Sequence, residues 1–185
     1  NSTLQQRADY IPLEELLAET SNSGQLFQKV HKELINRGLR TIVGPRGCGK
    51  THMMRYAWLK CSSTQKMPFA AYVSFNRYFR LEPLLTSLPG AIHQFHSWVL
   101  ARVLIALWNS AQEWTPKISG IDTIFSGAGL SLEQLSSFVA RIERNQPLDE
   151  ANLLLSDALS IERVQLAIDD VCKRAGRKYT VLLMD

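Results

Sequence analysis

A glycine-rich run near residue 47 has the residue types and spacing that most clearly suggest chemistry in this chain. It reads Gly44, Pro45, Arg46, Gly47, Cys48, Gly49, Lys50, Thr51, which fits the pattern G-x-x-x-x-G-K-[ST] of a phosphate-binding loop. Gly44, Gly47 and Gly49 can take backbone angles that other residues avoid, so the amide N–H groups can turn inward toward phosphate oxygens. A helix that begins near Lys50 would add its positive N-terminal end. The run therefore predicts a site for ATP.

The side chains of this run have separate predicted roles. Lys50 is the predicted catalytic residue, with its ammonium between the β- and γ-phosphates, and Thr51 would offer its hydroxyl to Mg²⁺. Arg46 fits a solvated loop arginine better than a contact with phosphate or a neighbouring subunit. Cys48 fits a small residue tolerated by the loop better than a redox sensor. The predicted nucleotide-binding residues are Gly44, Pro45, Arg46, Gly47, Cys48, Gly49, Lys50, Thr51 and His52.

An aspartate follows the apolar run 181–184 and is the second candidate for metal chemistry. Four apolar residues before Asp185 predict a strand buried on both faces, with the carboxylate at its C-terminal tip. Ligands of α/β sheets bind at that edge, where Asp185 would hold Mg²⁺, usually through water. Taken alone the motif is weak, because any buried strand can end in Asp. The competing acids Asp169 and Asp170 lie within a helical pattern and fit a solvated helix face.

Secondary-structure signals place these residues on predicted elements. The loop follows a short apolar strand and begins a helix, as phosphate binding requires. The predicted strands are residues 39–43, 69–75 and 179–184. The predicted helices are residues 23–38, 50–60, 91–114, a helix capped by Ser131 with Gln134, 149–155, and a helix capped by Ser160. Residues 118–130 are predicted as a loop or a broken helix, and Gly127 and Gly129 favour the loop.

Composition sets the class of the chain. Its 185 residues suffice for one domain, and a net charge of +4 permits a nucleic-acid partner without arguing for one. Three scattered cysteines indicate a reducing compartment, so the predicted location is the cytoplasm. The apolar stretch 92–108 contains His93, His96 and Arg102, so no membrane span is predicted. Because the chain stops abruptly after Asp185, we expect it to be a fragment.

The run 39–51 and the final strand resemble P-loop ATPases that place an extra strand between their two motif strands. More closely they resemble AAA+ and STAND-type ATPases, especially the initiator-like, origin-recognition-related branch that also occurs in bacterial defence systems. The resemblance covers residues 10–75 and 177–185. It implies an α/β fold, namely a three-layer αβα P-loop domain with a parallel central sheet. Here that domain would be truncated after the strand that ends in Asp185, which matches the family's Walker B strand, and it would have a long helical middle section.

The resemblance also implies a domain plan. Residues 1–38 would form an N-terminal segment and helix, and residues 39–185 an incomplete ATPase domain with a helical insertion at about 77–175. In the family's sheet order both neighbours of strand 39–43 come after residue 185, so this chain is expected to fold poorly alone. A catalytic Glu, sensor residues and an arginine finger would also lie beyond Asp185. Ile11 and Pro12 would pack on adenine or simply on the sheet edge.

Several functions remain open at this level. The leading hypothesis is an ATPase that couples nucleotide state to conformational change or oligomerisation, in an antiviral defence or DNA-associated system. The alternatives are a nucleotide-gated scaffold that hydrolyses little and, less favoured, a small-molecule or nucleotide kinase. Expected partners are further copies of the chain or an effector protein, with nucleic acid left open and no membrane. The aromatic set Phe95, Trp98, Trp108 and Trp114 fits a core helix better than a partner surface.

Overall fold

The computed structural model describes residues 24–64, 66–76, 81, 90–114, 118–127 and 129–185, which form a mostly helical chain with two short strands. The elements in chain order are α1 (Gly24–Leu34), α2 (Lys50–Ser63), β1 (Phe69–Val73), α3 (Ala91–Gln112), α4 (Ile121–Gly127), α5 (Leu132–Glu143), α6 (Glu150–Ala158), α7 (Ile161–Arg174) and β2 (Thr180–Met184). The predictions for Ile11 and Pro12 lie outside the described residues. The predicted division of domains at residue 38 stays a prediction.

The two strands pair in parallel, with Phe69 opposite Thr180 and Val73 opposite Met184. Parallel strands need a long crossover, and helices α3 to α7 supply it here. One hydrogen bond continues the ladder past the strand end, since the amide of Asp185 donates to the carbonyl of Val73 at 2.9 Å. Both strands therefore finish at the same edge, and Asp185 lies there.

The predicted fold class, a three-layer αβα P-loop domain with a parallel central sheet, is wrong for this structure. The described residues form one sheet of only two strands. The predicted strand 39–43 is irregular, and its side chains Leu39 and Val43 are 92% and 89% exposed. A strand exists only beside a partner that satisfies its N–H and C=O groups, and no described segment pairs with residues 39–43.

Helix α3 lies at the centre of the hydrophobic core. It packs against β1, α5, α6 and α7, and it buries Trp98, Leu104 and Leu107 almost completely. Trp114, just beyond its end, packs against Phe69 of β1 with the two rings tilted by 39° and their centroids 4.6 Å apart. The prediction that Trp98 and Trp114 belong to the core is confirmed.

Local capping signals set three helix starts, two of them as predicted. The hydroxyl of Ser131 accepts from the amide of Gln134 at 3.1 Å, and that of Ser160 accepts from the amide of Arg163 at 3.3 Å. Asp149 caps α6 by accepting from the Asn152 amide at 3.0 Å, and this bond holds the pKa of the Asp149 carboxyl below its usual value. Each cap satisfies an amide that the first helical turn leaves without a partner.

The preference for a loop at residues 118–130 is wrong, because helix α4 forms within it. Ile121, Ile124 and Phe125 recur at helical spacing and all three are buried. Their burial against α7 and α3 outweighs the glycines that favoured a loop. Among the helices that the structure describes, none has the length and apolar character required to cross a bilayer.

Candidate functional site

The glycine loop has the predicted left-handed backbone at two of its three glycines. Gly47 and Gly49 have φ angles of 84° and 85°, in the left-handed region that side chains disfavour. At Gly44 the constraint is space, because a Cβ atom there would lie 2.8 Å from the sulfur of Cys48. Gly47 and Gly49 are therefore needed for their backbone angles, whereas a side chain at Gly44 would require the exposed Cys48 side chain to move.

Helix α2 begins directly at the end of the loop. Gly49 is its N-cap and supplies no side-chain acceptor, and the first turn contains no acidic residue. The helical hydrogen bonds begin with the Met53 amide, which donates to the Gly49 carbonyl at 2.9 Å. The amides of Lys50 and Thr51 precede that bond, so they have no acceptor within the helix. A helix end of this kind attracts anions.

The side chain of Lys50 folds back over its own loop. Its ammonium donates to the carbonyl oxygens of Gly44 and Pro45 at 2.8 and 2.9 Å, and it lies 3.7 Å from the sulfur of Cys48. The positive charge is therefore at the loop, where the sequence predicted it. To contact a phosphate, the ammonium has to exchange these two carbonyl oxygens for phosphate oxygens.

Thr51 and Asp185 meet although 134 positions separate them in the chain. The Thr51 hydroxyl donates to the Oδ2 atom of Asp185 at 2.7 Å. The backbone of Asp185 is fixed by its bond to Val73 and by the amide of Phe75, which donates to the Asp185 carbonyl at 2.6 Å. Helix α2 thus supplies the hydroxyl and the sheet edge supplies the carboxylate. Their role as metal ligands stays a prediction.

Tyr72 is a site residue that the sequence analysis missed. Its hydroxyl donates to the same Oδ2 atom of Asp185 at 2.9 Å. The only sequence signal was its position near the end of a predicted strand. Because the contact depends on the register between β1 and β2, motif spacing alone cannot reveal it.

The remaining predicted residues lie around this group. Pro45 contributes its carbonyl to Lys50, Arg46 is exposed on the loop, and His52 is half-buried in the first turn of α2. Asp169 and Asp170 lie on α7, where they contact Gln165 and Arg174 of the same helix. They belong to a helix face, as the sequence indicated.

The donor set suits Mg²⁺ and phosphate by its chemistry. A hydroxyl and a carboxylate are the oxygen ligands that Mg²⁺ prefers, and nucleotide phosphates usually complete its shell. Across the part of the chain that the structure describes, no three His, Cys, Asp or Glu side chains cluster as a metal site. Comparisons of the chain with protein-family models, curated proteins and solved structures found no match.

Proposed function

We propose that this chain binds ATP with Mg²⁺ at the glycine loop and Asp185, and that it hydrolyses the γ-phosphate. The observation that carries the proposal is the 2.7 Å hydrogen bond between Thr51 and Asp185. A glycine loop or a strand ending in Asp is each a modest signal alone. A magnesium nucleotide site needs both together, and two distant segments of the chain converge on that arrangement.

Each residue has a distinct part in binding. Lys50 leaves the Gly44 and Pro45 carbonyls and neutralises phosphate charge, while amides at the start of α2 donate to phosphate oxygens. Thr51 and Asp185 would hold the metal through their side-chain oxygen atoms. When bound, Mg²⁺ supplies charge neutralisation and fixes the phosphate oxygens in one orientation. The chain thereby contributes positioning and electrostatics.

The proposed reaction needs no covalent step on the protein. Water adds to the γ-phosphorus as the bond from that phosphorus to the β–γ bridging oxygen breaks, giving ADP and inorganic phosphate. We propose that nucleotide state then controls conformation or assembly with further copies or an effector.

The decisive experiment compares Lys50→Ala with Lys60→Ala. Both substitutions remove an ammonium from α2, but Lys60 lies over the Tyr56 ring, at 5.4 Å from its centroid, rather than at the loop. Loss of a charge-assisted hydrogen bond costs about 1.5–3 kcal/mol, or roughly tenfold to a hundredfold in affinity. We expect that loss for Lys50→Ala in calorimetric titration with ATP and Mg²⁺, and wild-type affinity for Lys60→Ala.

Equal ATP affinity in wild type and Lys50→Ala would refute the site. If Lys50→Ala does weaken ATP binding, a phosphate-release assay distinguishes the ATPase from the scaffold and the kinase. Release without any added acceptor supports the ATPase, and tight binding without release indicates the nucleotide-gated scaffold. Phosphate transfer that requires an added acceptor indicates a kinase.

A further inference from the structure

The hydroxyl of Tyr72 approaches Asp185 from the neighbouring strand. We infer that Tyr72 is a positioning residue, which orients the Asp185 carboxylate for Mg²⁺ through a hydrogen bond to Oδ2. The inference rests on the proposed function, and it assigns to β1 a part in a site that the sequence motifs placed only on the loop and on β2.

The arrangement of donors supports this role. Thr51 and Tyr72 both donate to Oδ2, at 2.7 and 2.9 Å. A carboxylate oxygen has two lone pairs, so these two hydroxyls occupy Oδ2 and leave Oδ1 as the acceptor for a metal ion or its water. The Thr51 oxygen keeps its own lone pairs, so it can bind a cation while donating to Asp185.

The strand register explains why this tyrosine reaches the carboxylate. Tyr72 lies opposite Leu183, and Leu183 and Asp185 share a face because side chains alternate along extended backbone. Tyr72 and Asp185 are therefore diagonal neighbours on one face of the sheet. The backbone bonds of Asp185 to Val73 and Phe75 hold this register up to the last residue.

The hydroxyl of Tyr72 fixes a side chain that would otherwise rotate. With the Thr51 bond alone, the Asp185 carboxylate could still rotate. Fixing its orientation would then cost conformational entropy and weaken Mg²⁺ binding. Partners that orient a metal ligand typically account for 10- to 100-fold in metal affinity. A positioning role therefore predicts a defect in Mg²⁺ dependence and no defect in nucleotide binding without metal.

The test is Tyr72→Phe, with Tyr179→Phe as its matched control. The control variant also removes a tyrosine hydroxyl that donates a hydrogen bond, in this case to the Ile35 carbonyl at 2.9 Å. That bond has no part in the proposed site. At a fixed low ATP concentration, Mg²⁺ is titrated and nucleotide binding is followed, and the titration is repeated with ATP in EDTA. For Tyr72→Phe we expect a rise of about tenfold in the Mg²⁺ midpoint and unchanged affinity in EDTA. Tyr179→Phe should match wild type in both.

Two failures are distinguishable. If wild type shows no Mg²⁺-dependent nucleotide binding, the proposed function and this inference both fall. If wild type binds and folded Tyr72→Phe keeps the wild-type Mg²⁺ midpoint, only the positioning role is overturned. If Tyr72→Phe is less stable than wild type, the same substitution is also made in Asp185→Asn. If Tyr72 acts through Asp185, it has little further effect on the Mg²⁺ midpoint in that background. A fully additive rise in the midpoint would overturn the positioning role.

Discussion

Cys48 lies inside the glycine loop, with its sulfur 3.7 Å from the Lys50 ammonium. It is exposed, whereas Cys61 and Cys172 are buried. Burial also raises the pKa of the Cys61 thiol to about 12, so little of the reactive thiolate exists there at neutral pH. Its exposure therefore makes Cys48 the most accessible of the three cysteines to a reagent in solution.

We predict that ATP with Mg²⁺ protects Cys48 from alkylation. A nucleotide in the loop covers the sulfur, so modification by iodoacetamide should slow severalfold, as measured by mass spectrometry of peptides over time. The matched control is Cys172, whose slow modification should not change with nucleotide. Equal Cys48 rates with and without saturating ATP would contradict a nucleotide in this loop.

Residue types in the loop were predictable from sequence, but their contacts were predictable only in part. Gly47 and Gly49 take left-handed angles because the motif requires them, and Thr51 meets Asp185 as the paired motifs predict. Tyr72 was missed because its contact depends on strand register. The bonds from Lys50 to its own loop were missed as well, because the motif describes the lysine with phosphate present.

At the scale of elements, local signals predicted more than apolar runs did. A serine cap joins residues three positions apart, so the chain around Ser131 and Ser160 contains all the information needed. An apolar run is different, because it becomes a strand only if another strand lies beside it. Residues 180–184 pair with β1 and form a strand, whereas the similar run 39–43 has no described partner and does not.

We predict that Ser131→Ala destabilises the protein by about 1 kcal/mol. The substitution removes the oxygen that accepts from the Gln134 amide, so the first turn of α5 loses its side-chain cap. Urea unfolding followed by circular dichroism measures the change. Ser136→Ala is the matched control, because Ser136 is exposed within the same helix and such changes usually stay within about 0.5 kcal/mol. Equal losses in the two variants would exclude a capping role for Ser131.

At the scale of the whole molecule, a helical core lies beside an open sheet edge. A groove of about 490 Å³ separates residues 36–42 from β2, and Leu34, Met54 and Leu182 help to line it. The glycine loop follows directly on the irregular segment that borders this groove. The loop therefore depends on helix α2 for its position, since α2 packs against α1 and β1.

This arrangement predicts a contrast in hydrogen exchange between two five-residue segments that were both predicted to be strands. Thr180–Met184 pairs with β1, so the amides that join the two strands should exchange slowly, as should those of the buried helix α3. No amide of residues 39–43 donates to a described backbone carbonyl, and Leu39 and Val43 are exposed. These amides should exchange near their intrinsic rates.

Exchange followed by mass spectrometry measures both segments in one sample, which cancels differences in global stability. Equal protection of the two segments would mean that residues 39–43 pair in solution, and the loop would then be anchored on both sides.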